Sequence, residues 1–283
     1  YGTVKPTGED NSEQKLTSVD ILDYQGMKKV IEDISPDYVY HLAALSSPSA
    51  SFQNPAETLT NNIGGQLNIL EAVKELQLLN TKVLVVSSAE VYGRVDEKYL
   101  PTNELAPLKP TSPYATSKIA QDFLGLQYFL SQNVKSIRVR PFNHTGPFQG
   151  PFFAIPSFAK QIAEIEKGQK EAVLKVGNLD TKRDFTDVRD VVRAYDLLME
   201  KGEAGEVYNI AGSELHDMKS TSDMILTYLK KDDNHIEYRE EEPFTTKIKV
   251  PDISKTIRDL NYQPRVTLKE GIPRTVDWMK QVY

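Results

Sequence analysis

The 283 residues include no cysteine. That excludes disulfides, Cys-ligated zinc, iron–sulfur clusters and a Cys nucleophile within the chain. It fits a reducing cytoplasm, which is the expected location. No run approaches about 18 consecutive apolar residues, so no membrane-spanning helix is expected. A basic excess is also lacking: 34 Lys and Arg stand against 40 Asp and Glu, a formal charge of −6. Nucleic acids and anionic membranes want a basic face, so neither is expected as a partner. His41, His144, His216 and His235 are the four histidines, and they show no ligand spacing. A metal site is therefore not expected. No internal repeat and no low-complexity tract is present.

What is there reads as an ordinary globular protein, 39% hydrophobic and 26% charged. The length suits one large domain, or one domain with a smaller lobe. Compact apolar runs at 37–42, 82–87 and 136–140 lack alternation, as strands covered on both faces do. Tyr1-Gly2-Thr3-Val4 reads as the end of another strand. Between the runs lie helical patterns. A helix over 55–79 places Leu59, Ile63, Leu67, Leu70 and Val73 three or four residues apart. A second, over 113–131, has Ser112 as N-cap and Pro113 at its first position. Strand–helix–strand alternation predicts a doubly wound α/β fold with a parallel sheet. From Gly146 the texture changes. Prolines at 147, 151 and 156 mark a loop before a helix near 156–167. Strands near 173–176 and 207–210 bracket a helix at 188–201. Trp278 stands at helical spacing from Val282 and reads as core packing.

The strongest local constellation is Tyr114-Ala115-Thr116-Ser117-Lys118. Residues four apart share a helix face, so Tyr114 and Lys118 can meet. An ammonium beside a phenol favours the phenolate and is expected to lower its pKa from about 10. Such a phenol can give or take a proton. Val86-Ser87-Ser88-Ala89-Glu90-Val91-Tyr92-Gly93 follows a predicted strand at its carboxyl end, where open α/β sheets bind ligands. Ser88 could hydrogen-bond the oxygen whose proton Tyr114 handles, and Glu90 puts a carboxylate nearby. Read alone, Ser87-Ser88 is equally a strand-ending turn.

A Ser and a Tyr-x-x-x-Lys on these elements resemble the short-chain dehydrogenase/reductase arrangement. Further matches keep the order of the extended, epimerase/dehydratase branch of that superfamily almost end to end. His41-Leu42-Ala43-Ala44-Leu45-Ser46-Ser47 resembles its cofactor loop, and Asp20-Ile21 its adenine-contact pair. Asn62-Ile63-Gly64-Gly65 resembles its Asn-x-x-Gly. Arg140-Pro141-Phe142-Asn143-His144-Thr145-Gly146-Pro147 is similar to its nicotinamide-side strand. The 182–192 stretch around Arg183 is similar to its substrate-domain signature. The resemblance implies a Rossmann domain over 1–145 with about 187–212. It implies a substrate lobe over 146–186 and 213–283. NADP or NAD is the implied cofactor, with Asp20, Ile21, Leu42, Ala43, Ala44, Ser46, Asn62, Tyr114, Lys118 and Phe142 around it. Ser88, Glu90, Tyr114 and Lys118 are the implied catalytic residues.

Within the branch the chain most resembles GDP-4-keto-6-deoxy-mannose reductases, on Asn143 to Pro147, Pro156 to Ile162, and Val176 to Leu179 leading to Arg183. The implied reaction is reduction of a sugar C4 ketone. Tyr114 is then the proton donor, Ser88 its hydrogen-bonding partner, and Lys118 the holder of the nicotinamide ribose. The sister GDP-mannose 4,6-dehydratases share the Asn-His pair. Glu90 would suit their C5 proton abstraction, and related reductases carry Glu there too. Another nucleotide-sugar epimerase, or an inactive sugar-binding module, also stays open. Ser88, Asn143, Lys160, Val176 and Arg183 are the candidates for a GDP-sugar, since cations and an amide suit a diphosphate and a sugar. Lys160 reads equally as solvated, Val176 as core, and His144 as structural.

The chain departs from the family twice. Where an Arg-Pro pair is expected it has Glu242-Pro243, for which Lys247 or Lys249 would compensate. No Gly-x-Gly-x-x-Gly or Gly-x-x-Gly-x-x-Gly occurs. A dinucleotide fold uses that turn to hold the pyrophosphate at a helix N-terminus. The expectation is a chain that lacks one strand–turn–helix unit, roughly 30 residues, as a fragment or as a degenerate protein. Weak NAD(P) binding follows. Lys5 at the strand end, with no adjacent acid, leans to NADP. The 55–79 and 113–131 helices are expected to pair across a homodimer.

Overall fold

The computed structural model describes residues 2–4, 16–212, 214–229, 237–240 and 249–283. Lys5, His235, Glu242, Pro243 and Lys247 lie outside them. The first elements are β1 (Gly2–Val4), β2 (Leu16–Ser18), α1 (Tyr24–Ile34), β3 (Tyr38–His41), α2 (Pro48–Gln53) and α3 (Pro55–Glu75). Then come β4 (Lys82–Val86), α4 (Pro113–Gln132), β5 (Lys135–Pro141) and β6 (His144–Thr145). They are followed by α5 (Ala154–Glu166), β7 (Val173–Val176), β8 (Lys182–Asp184), β9 (Thr186–Asp187), α6 (Val188–Lys201) and β10 (Val207–Ile210). The rest are β11 (Leu215–Asp217), α7 (Met218–Tyr228), β12 (Glu237–Glu240), α8 (Ser254–Leu260) and α9 (Leu268–Val282). The strands and helices expected from apolar spacing are all present.

The chain divides into two compact units. One holds Tyr1–Arg94, Pro107–Arg140 and Tyr195–Tyr208; the other holds Val95–Ala106, Pro141–Ala194 and Asn209–Tyr283.

In the first unit a four-stranded sheet has the order β10-β5-β4-β3. β3 runs parallel to β4, and β4 to β5. β1 and β2 form a separate parallel pair, with Gly2 opposite Leu16 and Val4 opposite Ser18. Val83, Leu84 and Val85 of β4 are fully buried, which is why that strand shows no polar alternation. Ser112 caps α4 by accepting from the Ala115 amide at 3.0 Å. Asn133 closes the helix in the left-handed region, φ 57°. α3 and α4 lie side by side in the same direction. Asn62 donates to Ser117 Oγ near their starts (2.9 Å), and Tyr128 donates to Glu71 further along. At Gly125 a Cβ would come within 3.0 Å of Val85, so α4 sits against the sheet only because that side chain is absent.

One buried ion cluster fixes α4 to the sheet. Asp122 Oδ1 accepts from Arg138 Nη1 and Oδ2 from Arg140 Nε, both at 2.8 Å. Arg140 Nη1 donates to the Tyr92 hydroxyl at 3.1 Å. Arg138 Nη2 donates to the Gly205 carbonyl at 2.8 Å. All three charged side chains are nearly or wholly enclosed.

The second unit packs α5, α7 and α9 with β7 around Ile155, Phe158, Ile162, Leu174, Ile272 and Val276. β7 pairs with β12 in parallel, β8 with β11 antiparallel, and β6 with β9 in parallel. Thr267 and Glu270 form a reciprocal capping box at the start of α9. Trp278 packs on this core, its ring 5.4 Å from that of Phe148.

Candidate active site

β4 ends at Val86, and the chain turns through Ser88 into a short 3-10 turn, Ala89–Tyr92. Ser88 Oγ accepts from the Glu90 amide at 3.2 Å and shares a hydrogen bond with the Tyr114 hydroxyl. Tyr114 stands in the first turn of α4, and its amide donates to Ser51 Oγ at 3.1 Å. Lys118, one turn on, lies with its ammonium 5.9 Å from the Tyr114 ring centre. The ammonium donates to the Val86 carbonyl at 2.9 Å. Ser88, Tyr114 and Lys118 are thus brought together and buried. Glu90 is close enough for its charge to act on Tyr114.

The electrostatics correct one expectation. Lys118 does not pull the Tyr114 pKa down. Burial pushes the Tyr114 phenol up to about 12, the Ser88 hydrogen bond opposes that, and the Glu90 charge adds to it. Burial also pushes Lys118 down to about 8. Desolvation penalises the charged form of each group. Tyr114 is therefore a protonated phenol at neutral pH, ready to donate.

The loops expected around a dinucleotide lie in the same unit. Leu42, Ala43 and Ser46 are exposed, and Ala44 is half-buried. Asn62 is buried and its amide is spent on protein. It accepts from the Leu45 amide at 2.8 Å, and donates to the Leu45 carbonyl at 3.1 Å and to Ser117. Asn62 thus shapes the loop rather than lining it. Asp20 folds its carboxylate back onto the Leu22 amide at 2.9 Å, leaving Ile21 half-buried. The residues fit part of an NAD(P). Among the described residues the buried Lys118 ammonium has one acceptor, which leaves donors for a ribose hydroxyl pair. The apolar rim of Leu42 and Ala43 suits a planar ring. The glycine-rich turn is not in the sequence, so no pyrophosphate contact is assigned.

His41, at the end of β3, is enclosed, and its Nε2 has no partner among the described residues. Burial, with a smaller contribution from the Lys118 charge, pushes it down to about 3. A histidine depressed in the folded state supplies stability above its unfolded pKa near 6.5, and that stability is lost as pH falls. Between pH 7.5 and 5 the parent is expected to lose about 2 kcal/mol more than His41→Leu. Urea denaturation of both proteins at the two pH values checks this, and equal losses would refute it. Asp184 in the second unit works the other way. Burial raises it to about 6, so its contribution weakens as pH rises. Comparing the two proteins cancels that term.

Of the sugar-nucleotide candidates Ser88 belongs to the first unit, while Asn143, Lys160, Val176 and Arg183 belong to the second, as does Phe142. Phe142 is buried, its amide donating to the Ile210 carbonyl at 2.8 Å. Asn143 is half-buried and its carbonyl accepts from the Thr186 amide at 2.9 Å. Val176 is packed in the core, so its side chain presents no binding surface. Arg183 is buried on β8, with Nη1 donating to the Lys182 carbonyl at 2.8 Å. Lys160 lies 4.0 Å from the Tyr283 ring centre and 3.9 Å from Glu164. It lines a cavity of about 330 Å³ with Phe152, Ser157, Lys170 and Lys175. His144 is half-buried, its Nδ1 3.0 Å from the Phe142 carbonyl, and desolvation lowers its pKa.

Residues 3–275 match the family described as GDP-mannose 4,6 dehydratase. The chain belongs to that family. It is 40% identical over 190 residues to a Pseudomonas aeruginosa protein named GDP-6-deoxy-D-mannose reductase. That alignment spans 67% of this chain and 62% of the relative's length. A Cricetulus griseus relative named GDP-mannose 4,6 dehydratase is 28% identical, over 96% of this chain and 77% of the relative. Among solved structures, the P. aeruginosa protein RMD complexed with NADPH superimposes with a TM-score of 0.88 at 28% identity. That match covers 100% of this chain and 99% of the other. A Thermotoga maritima UDP-glucose 4-epimerase with UDP-glucose gives 0.87 at 26% identity, over 98% and 88%. The fold is thus α/β and of the Rossmann type. At the sheet end this family member carries Ser88, Tyr114 and Lys118. Two of its positioning residues lie outside the motifs that the sequence displays. Asp122 is signalled only by its place one turn past Lys118. Ser51, which holds the Tyr114 amide, has no signal.

Proposed function

We propose that the chain reduces the C4 ketone of a GDP-4-keto-6-deoxy-hexose, using NADPH in preference to NADH. The observation that carries this is the buried Ser88–Tyr114–Lys118 group with Tyr114 held protonated. When bound, the nicotinamide would supply a hydride to C4. Tyr114 donates its proton to the C4 oxygen as charge develops there. Ser88 hydrogen-bonds the same oxygen, and Lys118 holds the ribose. Donors fixed in a desolvated site are worth more than donors in water. The phenolate left on Tyr114 faces the Lys118 ammonium and is reprotonated from water. Asp20, Ile21, Leu42, Ala43, Ala44 and Ser46 take the cofactor, with Phe142 beyond the nicotinamide strand. Asn143, Lys160 and Arg183 take the sugar and its diphosphate. Residues 1–145 and 187–212 serve the cofactor, and 146–186 with 213–283 serve the substrate.

Dehydration of GDP-mannose is the second reading, and Glu90 beside Tyr114 is the observation that favours it. The chain works as a cytoplasmic homodimer through α3 and α4, whose Leu67, Phe123 and Leu130 are exposed. Incubation with GDP-4-keto-6-deoxy-mannose and NADPH decides between the reactions. The expected result is NADPH oxidation with the keto sugar and none with GDP-mannose. Keto-sugar formation from GDP-mannose without net NADPH loss would select the dehydratase instead. Tyr114→Phe should slow the reductase about a hundredfold, the effect of losing a positioned acid.

A further inference from the structure

Asn68 plays no part in the reaction above, yet its amide is committed. Its Nδ2 donates to the Ile21 carbonyl at 2.8 Å, across 47 residues of sequence. Ile21 and Leu22 lie between β2 and α1, pressed on a bare stretch of α3. A Cβ on Gly65 would fall 2.6 Å from Ile21 Cδ1, and one on Gly64 would fall 2.9 Å from Leu22 Cδ2. Asn62, Gly65 and Asn68 follow one another at steps of three, so each neighbours the next along α3 while Asn62 and Asn68 stand about 120° apart round it. From these two sides the helix grips two loops at once. Asn62 holds Leu45 by its amide and carbonyl, and Asn68 with Gly65 holds Ile21. The spacing of these residues on a rigid helix sets the gap between the two loops.

We propose that Asn68 is a positioning residue that fixes the Asp20–Leu22 turn for the adenine half of a dinucleotide. The inference rests on the dinucleotide reading above. Asn68 touches no cofactor atom; it acts through the backbone of Ile21. Losing it releases the adenine-side turn and leaves the Ser88–Tyr114–Lys118 group alone.

The test uses the full chain with Asn68→Ala and with Asn68→Asp, which keeps the size and removes the donor. Hydrogen exchange without ligand is read at the amides of 21–23 and of 44–47. Affinity is read by titration with NADPH and with reduced nicotinamide mononucleotide, which lacks the adenosine half. Both variants are expected to exchange at least tenfold faster at 21–23, with 44–47 unchanged. NADPH affinity should fall about tenfold while the mononucleotide binds as before. Unchanged exchange at 21–23, or equal loss of both ligands, overturns the proposal. If the parent binds neither ligand, the dinucleotide reading falls and the proposal with it. Binding by the parent with no change in the variants removes the proposal alone.

Discussion

Replacing Asp122 by Asn is expected to cost about 3–5 kcal/mol of folding stability. Asn has the shape of Asp, so packing is kept and the change is electrostatic. Arg138 and Arg140 would then sit in the interior without the charge of Asp122. Both are nearly enclosed, and a buried cation that loses a hydrogen-bonded carboxylate is among the most costly groups a fold can hold. The intact cluster adds little against an apolar core, because its desolvation offsets its attraction. Asp122→Leu combined with Arg138→Met and Arg140→Met should therefore recover most of the loss. Urea denaturation of the parent, the single variant and the triple variant tests the pair of statements. A single-variant loss under about 1 kcal/mol would show that the arginines find other partners.

Lys118→Met should act in opposite directions on stability and activity. Holding Lys118 charged at pH 7 with a pKa near 8 costs about 3 kcal/mol relative to its ordinary value. Met fills similar space without charge and gives up the Val86 hydrogen bond, worth about 1 kcal/mol. The variant should gain about 2 kcal/mol at pH 7. The sign with pH is fixed by the direction of the shift. A lysine depressed in the folded state contributes its full share above its unfolded pKa, and that share is lost as pH falls through 8. The stability gap between variant and parent should accordingly narrow from pH 7 to pH 10. On the proposed mechanism turnover should disappear at every pH, because the proposed ribose contact and the cation near Tyr114 are gone. Denaturation curves at the two pH values measure the gap. A variant less stable than the parent at pH 7 would refute the argument. Sites of this kind trade stability for function.

Much of the fold and of the site is legible in the sequence itself. The runs of β4 and β5 come from burial that local sequence records directly, whereas β3 leaves Tyr38 and Tyr40 exposed, and the three-and-four spacing marks α3 although its Leu67 is exposed. Ser112-Pro113 marks the start of α4, and so the shared face of Tyr114 and Lys118. Local sequence does not record how deeply that face is enclosed. The direction of the Tyr114 shift depends on it, since the attraction is visible from spacing and the desolvation is not. The Asp122 cluster is half visible. Arg138 and Arg140 stand two apart in β5 and so point to one side of it, but no local pattern names the carboxylate that meets them. Asn62 reads as a cofactor residue because motif and role travel together. Its actual bonds to Leu45 and Ser117 join segments far apart in the chain, which no local pattern encodes. α2 leaves no trace in the spacing because six residues are too few to show a period.

The unbroken run of α4 from Pro113 to Gln132 has a bearing on how this chain can change length. Tyr114, Lys118 and Asp122 follow at steps of four along one helix. Inserting a single residue between 118 and 122 would turn everything beyond it by about 100° and push it about 1.5 Å along the axis. Asp122 would leave both arginines while Tyr114 kept its place beside Ser88. A one-residue insertion or deletion between Lys118 and Asp122 is thus expected to break the ion cluster whatever residue it carries.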